Sequence, residues 1–170
     1  ESYSTVDGGN SAATLYNDGD MTIWGTVRVQ QAGGVKTNEF GYRGFHSPLI
    51  SNWGELTITG GEFYGGKNNI KNESGADLEI SDGAFHENLG FSLWNGGAAR
   101  ISGGSFTSWN AAAVWNQGSE LVITGGTFTA VDRDGQGKRA TIESSGSSTA
   151  QILGGHFGNE LVNYNKDNKE

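Results

Sequence analysis

The sequence predicts an all-β solenoid of about six coils, and three observations predict it. A short motif built around Ile-x-Gly-Gly-x-Phe recurs along 170 residues, intact in four copies and altered in two more. Apolar residues within each copy alternate with period two, as in Leu56-Thr57-Ile58 and Leu121-Val122-Ile123. No window sustains the i, i+3, i+4, i+7 pattern of a helix. A regular short period of strand and turn marks stacked coils, since one such unit cannot bury its apolar face alone.

Taken in order, the copies are ATLYNDGDMTIWGTV (13–27), PLISNWGELTITGGEF (48–63), NNIKNESGADLEISDGAF (68–85), GFSLWNGGAARISGGSF (90–106), AAAVWNQGSELVITGGTF (111–128) and ATIESSGSSTAQILGGHF (140–157). The first is worn and the last is loose. Their shared isoleucines, Ile23, Ile58, Ile80, Ile101, Ile123 and Ile152, step by 35, 22, 21, 22 and 29 residues. The two long steps read as insertions, at 30–47 and 132–140, and the polar 163–170 tail reads as a frayed end. Residues 1–170 therefore form one domain, with repeats over roughly 13–157.

Stacking puts equivalent positions above one another at roughly 4.8 Å. Ile and Phe supply a continuous core, and Gly pairs such as Gly125-Gly126 supply corners. Asn17, Asn52, Asn72, Asn95 and Asn116 fall at a second corner, where stacked amides bond up the column. Ser144 takes this place in the last copy, so the ladder weakens there.

The full motif, N-x-G-x-L-x-I-x-G-G-x-F, resembles the right-handed parallel β-helix repeats of the pectate-lyase-like superfamily. More narrowly it is similar to glycine-rich GGxF arrays of large bacterial surface proteins. That resemblance implies a single-stranded right-handed parallel β-helix and an adhesin, display or glycan-binding role. No catalytic residue carries over from it.

Composition narrows the partners. A net charge of −8, with 11 basic residues thinly spread, argues against nucleic acid, which needs a clustered positive face. There is no apolar run of 18 residues, so no membrane insertion is expected. Zero cysteine excludes a disulfide scaffold. An extracellular or cell-surface monomer, with a glycan or a host surface protein as partner, is the expectation.

The residue before the corner Asn should face outward. These positions hold Tyr16, Ser51, Lys71, Trp94, Trp115 and Glu143, which makes Trp94 and Trp115 neighbours on adjacent coils. A planar aromatic pair suits the C–H face of a pyranose, with Trp53 and Trp109 nearby and Asn95, Asn110, Asn116 and Gln117 offering amides. The plainer alternative is a cross-strand pair that only stabilises the sheet. In the first insertion, Phe40, Tyr42, Arg43, Phe45 and His46 suit recognition, although a flap that caps the open end is preferred.

Asp132, Asp134, Gln136, Gly137 and Glu143 occupy positions 1, 3, 5, 6 and 12 of a calcium-loop pattern. Gln136 departs from the pattern, the Lys138-Arg139 pair opposes a cation, and an exposed polar insertion is the preferred reading. Calcium is the one cofactor suggested. Enzymatic activity is not expected, because the three histidines share no ligand spacing and Glu79 with Arg100 reads as an ordinary stacked ion pair. A structural spacer is the main alternative to a binding module, and a polysaccharide lyase or hydrolase the third.

Overall fold

The computed structural model describes residues 13–31, 47–109, 111–118, 120–132 and 140–161, and these contain strands and turns but no helix. The first repeat supplies β1 (Leu15–Asn17), β2 (Asp20–Ile23) and β3 (Arg28–Gln30). The second supplies β4 (Ile50–Asn52) and β5 (Glu55–Tyr64), and the third β6 (Ile70–Asn72) and β7 (Asp77–His86). Next come β8 (Leu93–Asn95), β9 (Ala98–Ile101) and β10 (Ser105–Trp109), then β11 (Val114–Asn116), β12 (Glu120–Ile123) and β13 (Thr127–Asp132). The sixth repeat closes with β14 (Ile142–Ser144), β15 (Thr149–Ile152) and β16 (His156–Leu161).

All pairings among these strands are parallel, each strand bonding to its counterpart in the next repeat. One sheet runs β1-β4-β6-β8-β11-β14. The ten other strands form a second, curled sheet, in which β5 bonds β2 through its first half and β3 through its second. The strands β5 and β7 run unbroken past a corner that splits the later repeats into two strands. Three columns of stacked segments result, an all-β arrangement consistent with a β-solenoid.

Each column has an apolar inner file. Leu15, Ile50, Ile70, Leu93, Val114 and Ile142 are in register in the first sheet. The six motif isoleucines are in register in the second column. In the third, Phe63, Phe85, Phe106, Phe128 and Phe157 stack face to face with centroids 4.6, 4.7, 4.8 and 5.1 Å apart and planes within 10°. That spacing follows from the rung separation, so the backbone ladder places the rings. Each buried ring contributes roughly 1.5–3 kcal/mol by leaving water, and each pair roughly 0.5–1.5 kcal/mol more.

Glycine at the Gly-Gly corner answers two demands. Gly104 and Gly126 adopt φ of 94° and 102°, the left-handed region that a Cβ resists. Gly103 and Gly125 lack positive φ, but a Cβ there would run into the carbonyls of Ser81 and Ser102 in the preceding repeat. A side chain would separate the rungs.

The asparagine corner is fully internal. Asn17 donates to Asn52 (2.7 Å), Asn52 to Asn72, Asn72 to Asn95 and Asn95 to Asn116 (2.8 Å each). Each Nδ2 also donates to a carbonyl of the next repeat, as Asn95 does to Glu120. Asn116 reaches Ser144 Oγ at 3.3 Å, the weakened end the sequence implied. A second polar run crosses another corner, where Asn88 donates to Asn69 (2.9 Å) and Ser108 donates to Asn88 (3.0 Å). Ala130 occupies the next rung and ends it.

The two ends differ. Ile23 and Val29 of the first repeat are 6% exposed, whereas Ile152, Leu153 and Phe157 of the last are 46%, 70% and 41% exposed.

Candidate functional site: an aromatic stripe on the first sheet

Three-residue strands with the order apolar, variable, Asn can present only their middle residue outward. The register aligns Tyr16, Ser51, Lys71, Trp94, Trp115 and Glu143 in one outer file, as the repeat spacing requires. Tyr16 and Glu143 are exposed at its two extremes, and Trp94 and Trp115 are half-buried between them.

Side-chain packing departs from a flat platform. The rings of Trp94 and Trp115 lie 6.2 Å apart at 76°, edge to face, so the coplanar pair expected from their spacing does not form. Edge-to-face contact suits the ring quadrupoles at this separation. Phe91 packs on Trp115 at 4.8 Å and 36°, adding a ring the repeat register does not announce. On the other side, Lys71 Nζ sits 4.9 Å from the Trp94 ring centroid and 2.6 Å from Glu73 Oε1.

Trp53 joins the stripe by a different route. It follows the corner Asn, yet its Nε1 donates to Ser51 Oγ (3.1 Å), which folds the indole back over the outer file. Ser51 is consequently buried, while Trp53 stays 53% exposed. Tyr16, Trp53, Lys71, Trp94 and Trp115 thus follow one another along the face, spanning about 19 Å at the rung spacing.

Three expected contributors fall away. Asn95 and Asn116 are completely buried, and the amide ladder and neighbouring carbonyls occupy their polar atoms, so neither offers an amide to a ligand. The core needs every corner amide satisfied, and that requirement overrides surface display. Trp109 belongs to β10 in the second sheet, in register with Val131, and is not part of the stripe. Gln117, by contrast, is exposed beside Trp115 in sequence. Trp24, 66% exposed just after β2, is an aromatic that the motif pattern gave no reason to single out.

The loop candidates Tyr42 and Arg43, with Phe40, Phe45 and His46, lie outside the described residues, as do Asn110, Asp134, Gln136, Gly137 and the side chain of Asp132. Glu143 is exposed on β14, and no group of three metal-binding side chains occurs among the described residues.

Two other surface groupings stand apart from the stripe. A polar groove of about 330 Å³ on the second column is lined by Glu55, Asp77, Glu79 and Arg100. Glu79 and Arg100 are register neighbours as expected, but Arg100 bonds Glu120 at 2.8 Å instead. On the third column the Tyr64 ring lies 4.0 Å from His86 and 4.3 Å from the Arg28 guanidinium. Removal from water and the hydrogen bond donated to Glu62 hold the Tyr64 phenol above its ordinary range.

Comparison with protein-family models, curated proteins and solved structures finds no match, so the resemblance noted above rests on the motif alone.

Proposed function

We propose that the chain is a non-catalytic binding module, a right-handed single-stranded parallel β-helix of six coils that works outside the cell or at its surface and recognises glycans. The observation that carries this reading is the stripe of Tyr16, Trp53, Trp94 and Trp115 on one rigid sheet face, with Lys71 among them. Half-exposed indoles offer apolar faces to sugar C–H groups, and Lys71, Gln117 and Glu143 offer polar partners for hydroxyls. The strands β4, β6, β8 and β11 are held on both sides by neighbouring rungs, which leaves their outer groups little freedom to lose on binding and favours affinity.

A glycan array followed by tryptophan-fluorescence titration tests the reading. Binding should be weakened roughly tenfold or more by Trp94→Ala and by Trp115→Ala, about 1.4 kcal/mol each. Blank arrays, or binding indifferent to both substitutions, would refute it. A structural spacer is the second reading, favoured by the like-on-like stacking in all three columns; it predicts that both variants alter stability alone. Release of reducing ends from a polysaccharide would instead revive a hydrolase.

A further inference from the structure

The triplet Asn72-Glu73-Ser74 fits Asn-x-Ser/Thr, the acceptor pattern for N-linked glycans, and is the only match in the 170 residues. Such triplets ordinarily mark exposed loops. Here the ladder has claimed the asparagine. Asn72 is completely buried, whereas Ser74, two residues on, is exposed in the turn between β6 and β7. One triplet thus holds its acceptor amide inside the core and its hydroxyl in solvent.

The amide is engaged on both sides. Its Nδ2 donates to Asn95 Oδ1 at 2.8 Å and to the Ala98 carbonyl at 2.9 Å, with the Ala76 carbonyl at 3.4 Å, and its Oδ1 accepts from Asn52 at 2.8 Å. Oligosaccharyl transfer would compete for the same nitrogen. It breaks the bond between the anomeric carbon and the phosphate of a lipid-pyrophosphate-linked oligosaccharide and forms a bond from that carbon to Nδ2. The lipid pyrophosphate leaves, and one Nδ2 proton is lost.

A sugar placed there removes one of the two hydrogens the ladder uses and sets a bulky polar group between neighbouring rungs, away from water. Turning the side chain outward is no escape. Ile70 and Asn72 share the inner face of β6, so a one-residue slip would expose Ile70, which is completely buried, together with the amide.

We infer that Asn72 is an N-glycan acceptor in the unfolded chain alone, and that glycan addition there and stacking of the third rung exclude one another. The modification acts as a branch point: a chain modified before it folds loses the ladder at its middle, and a folded chain is closed to the enzyme. An extracellular protein of this sequence must therefore fold, or leave its cell, without meeting an oligosaccharyltransferase while unfolded.

Expression of the full chain behind an export signal in a eukaryotic secretory system tests this, with glycan occupancy read as the mass removed by an amidase that releases N-glycans. The expected result is glycan on chain retained inside the cell and none on folded chain in the medium. Ser74→Ala destroys the triplet at an exposed turn position and should raise the secreted yield severalfold with unchanged far-UV circular dichroism, while Ser74→Thr keeps the triplet and should not raise it. Ser74→Ala combined with Glu79→Asn moves the acceptor to an exposed position of the same repeat, where Ser81 completes a triplet. That chain should be secreted both glycosylated and folded. Folded, secreted chain carrying a glycan on Asn72 would overturn the inference, as would the absence of glycan from both the wild type and Ser74→Thr. Retention of the Ser74→Ala/Glu79→Asn chain would overturn it too, since the position of the glycan would then be immaterial. None of these outcomes bears on the aromatic stripe, which is tested on chain made without glycosylation.

Discussion

Asn95 shows how much one buried amide can hold. Its Nδ2 donates to Gly97, Asn116 and Glu120, and its Oδ1 accepts from Asn72, so it ties three repeats together inside the core. Leaving buried donors and acceptors unpaired costs roughly 1–3 kcal/mol per group. Asn95→Ala should therefore lower unfolding free energy by about 3 kcal/mol, seen in urea as a lower midpoint with little change in slope. Asn95→Asp should be no rescue, because it sets a carboxylate oxygen against the acceptor of Asn116. The same residue marks a limit of sequence reading. Its type and spacing announced the ladder, but could not reveal that the ladder uses up the groups a ligand would need.

Among elements, the phenylalanine file is the most sharply testable. Phe106 is buried between Phe85 and Phe128, whereas Phe157 covers Phe128 and is itself partly open. Phe106→Ala should cost about 3–5 kcal/mol, and Phe157→Ala distinctly less, because its cavity opens to solvent. Denaturant titration with near-UV circular dichroism would show both the ordering and the loss of ring stacking. This file was legible in the sequence because every member stacks on its own kind at the same place in the repeated motif. The polar run of Asn69, Asn88 and Ser108 was not, since its residue type changes and alanine follows at Ala130. Trp53 was only half legible: its place beside the stripe could be counted, but its swing onto Ser51 is a rotamer choice fixed by a hydrogen bond. The edge-to-face angle of Trp94 and Trp115 escaped for the same reason, because register places Cα atoms and leaves ring planes to local packing.

At the scale of the whole molecule, stability should be nearly a sum over neighbouring repeats. Ala98 and Glu120 occupy the same position of successive rungs, as do all residues through Ile101 and Ile123. Deleting residues 98–119 joins Gly97 to Glu120 and should remove one rung without disturbing the register. The shortened chain should fold with β-type circular dichroism and a urea slope lower by about a sixth, since the slope follows the surface exposed on unfolding. Failure to fold would mean the rungs are not interchangeable.

The amide ladder gives that rod a sense of direction. From Asn17 through Asn95 each side chain donates to the Asn of the later repeat, while Asn88 and Ser108 each donate to the Asn side chain of the earlier one. The two side-chain runs therefore pass their hydrogen bonds through the core in opposite senses. An amide reversed in the long chain would set donor against donor on one side and acceptor against acceptor on the other. Orientation is thus held in common by the whole row, a shared memory of which way is up that no single repeat could keep alone.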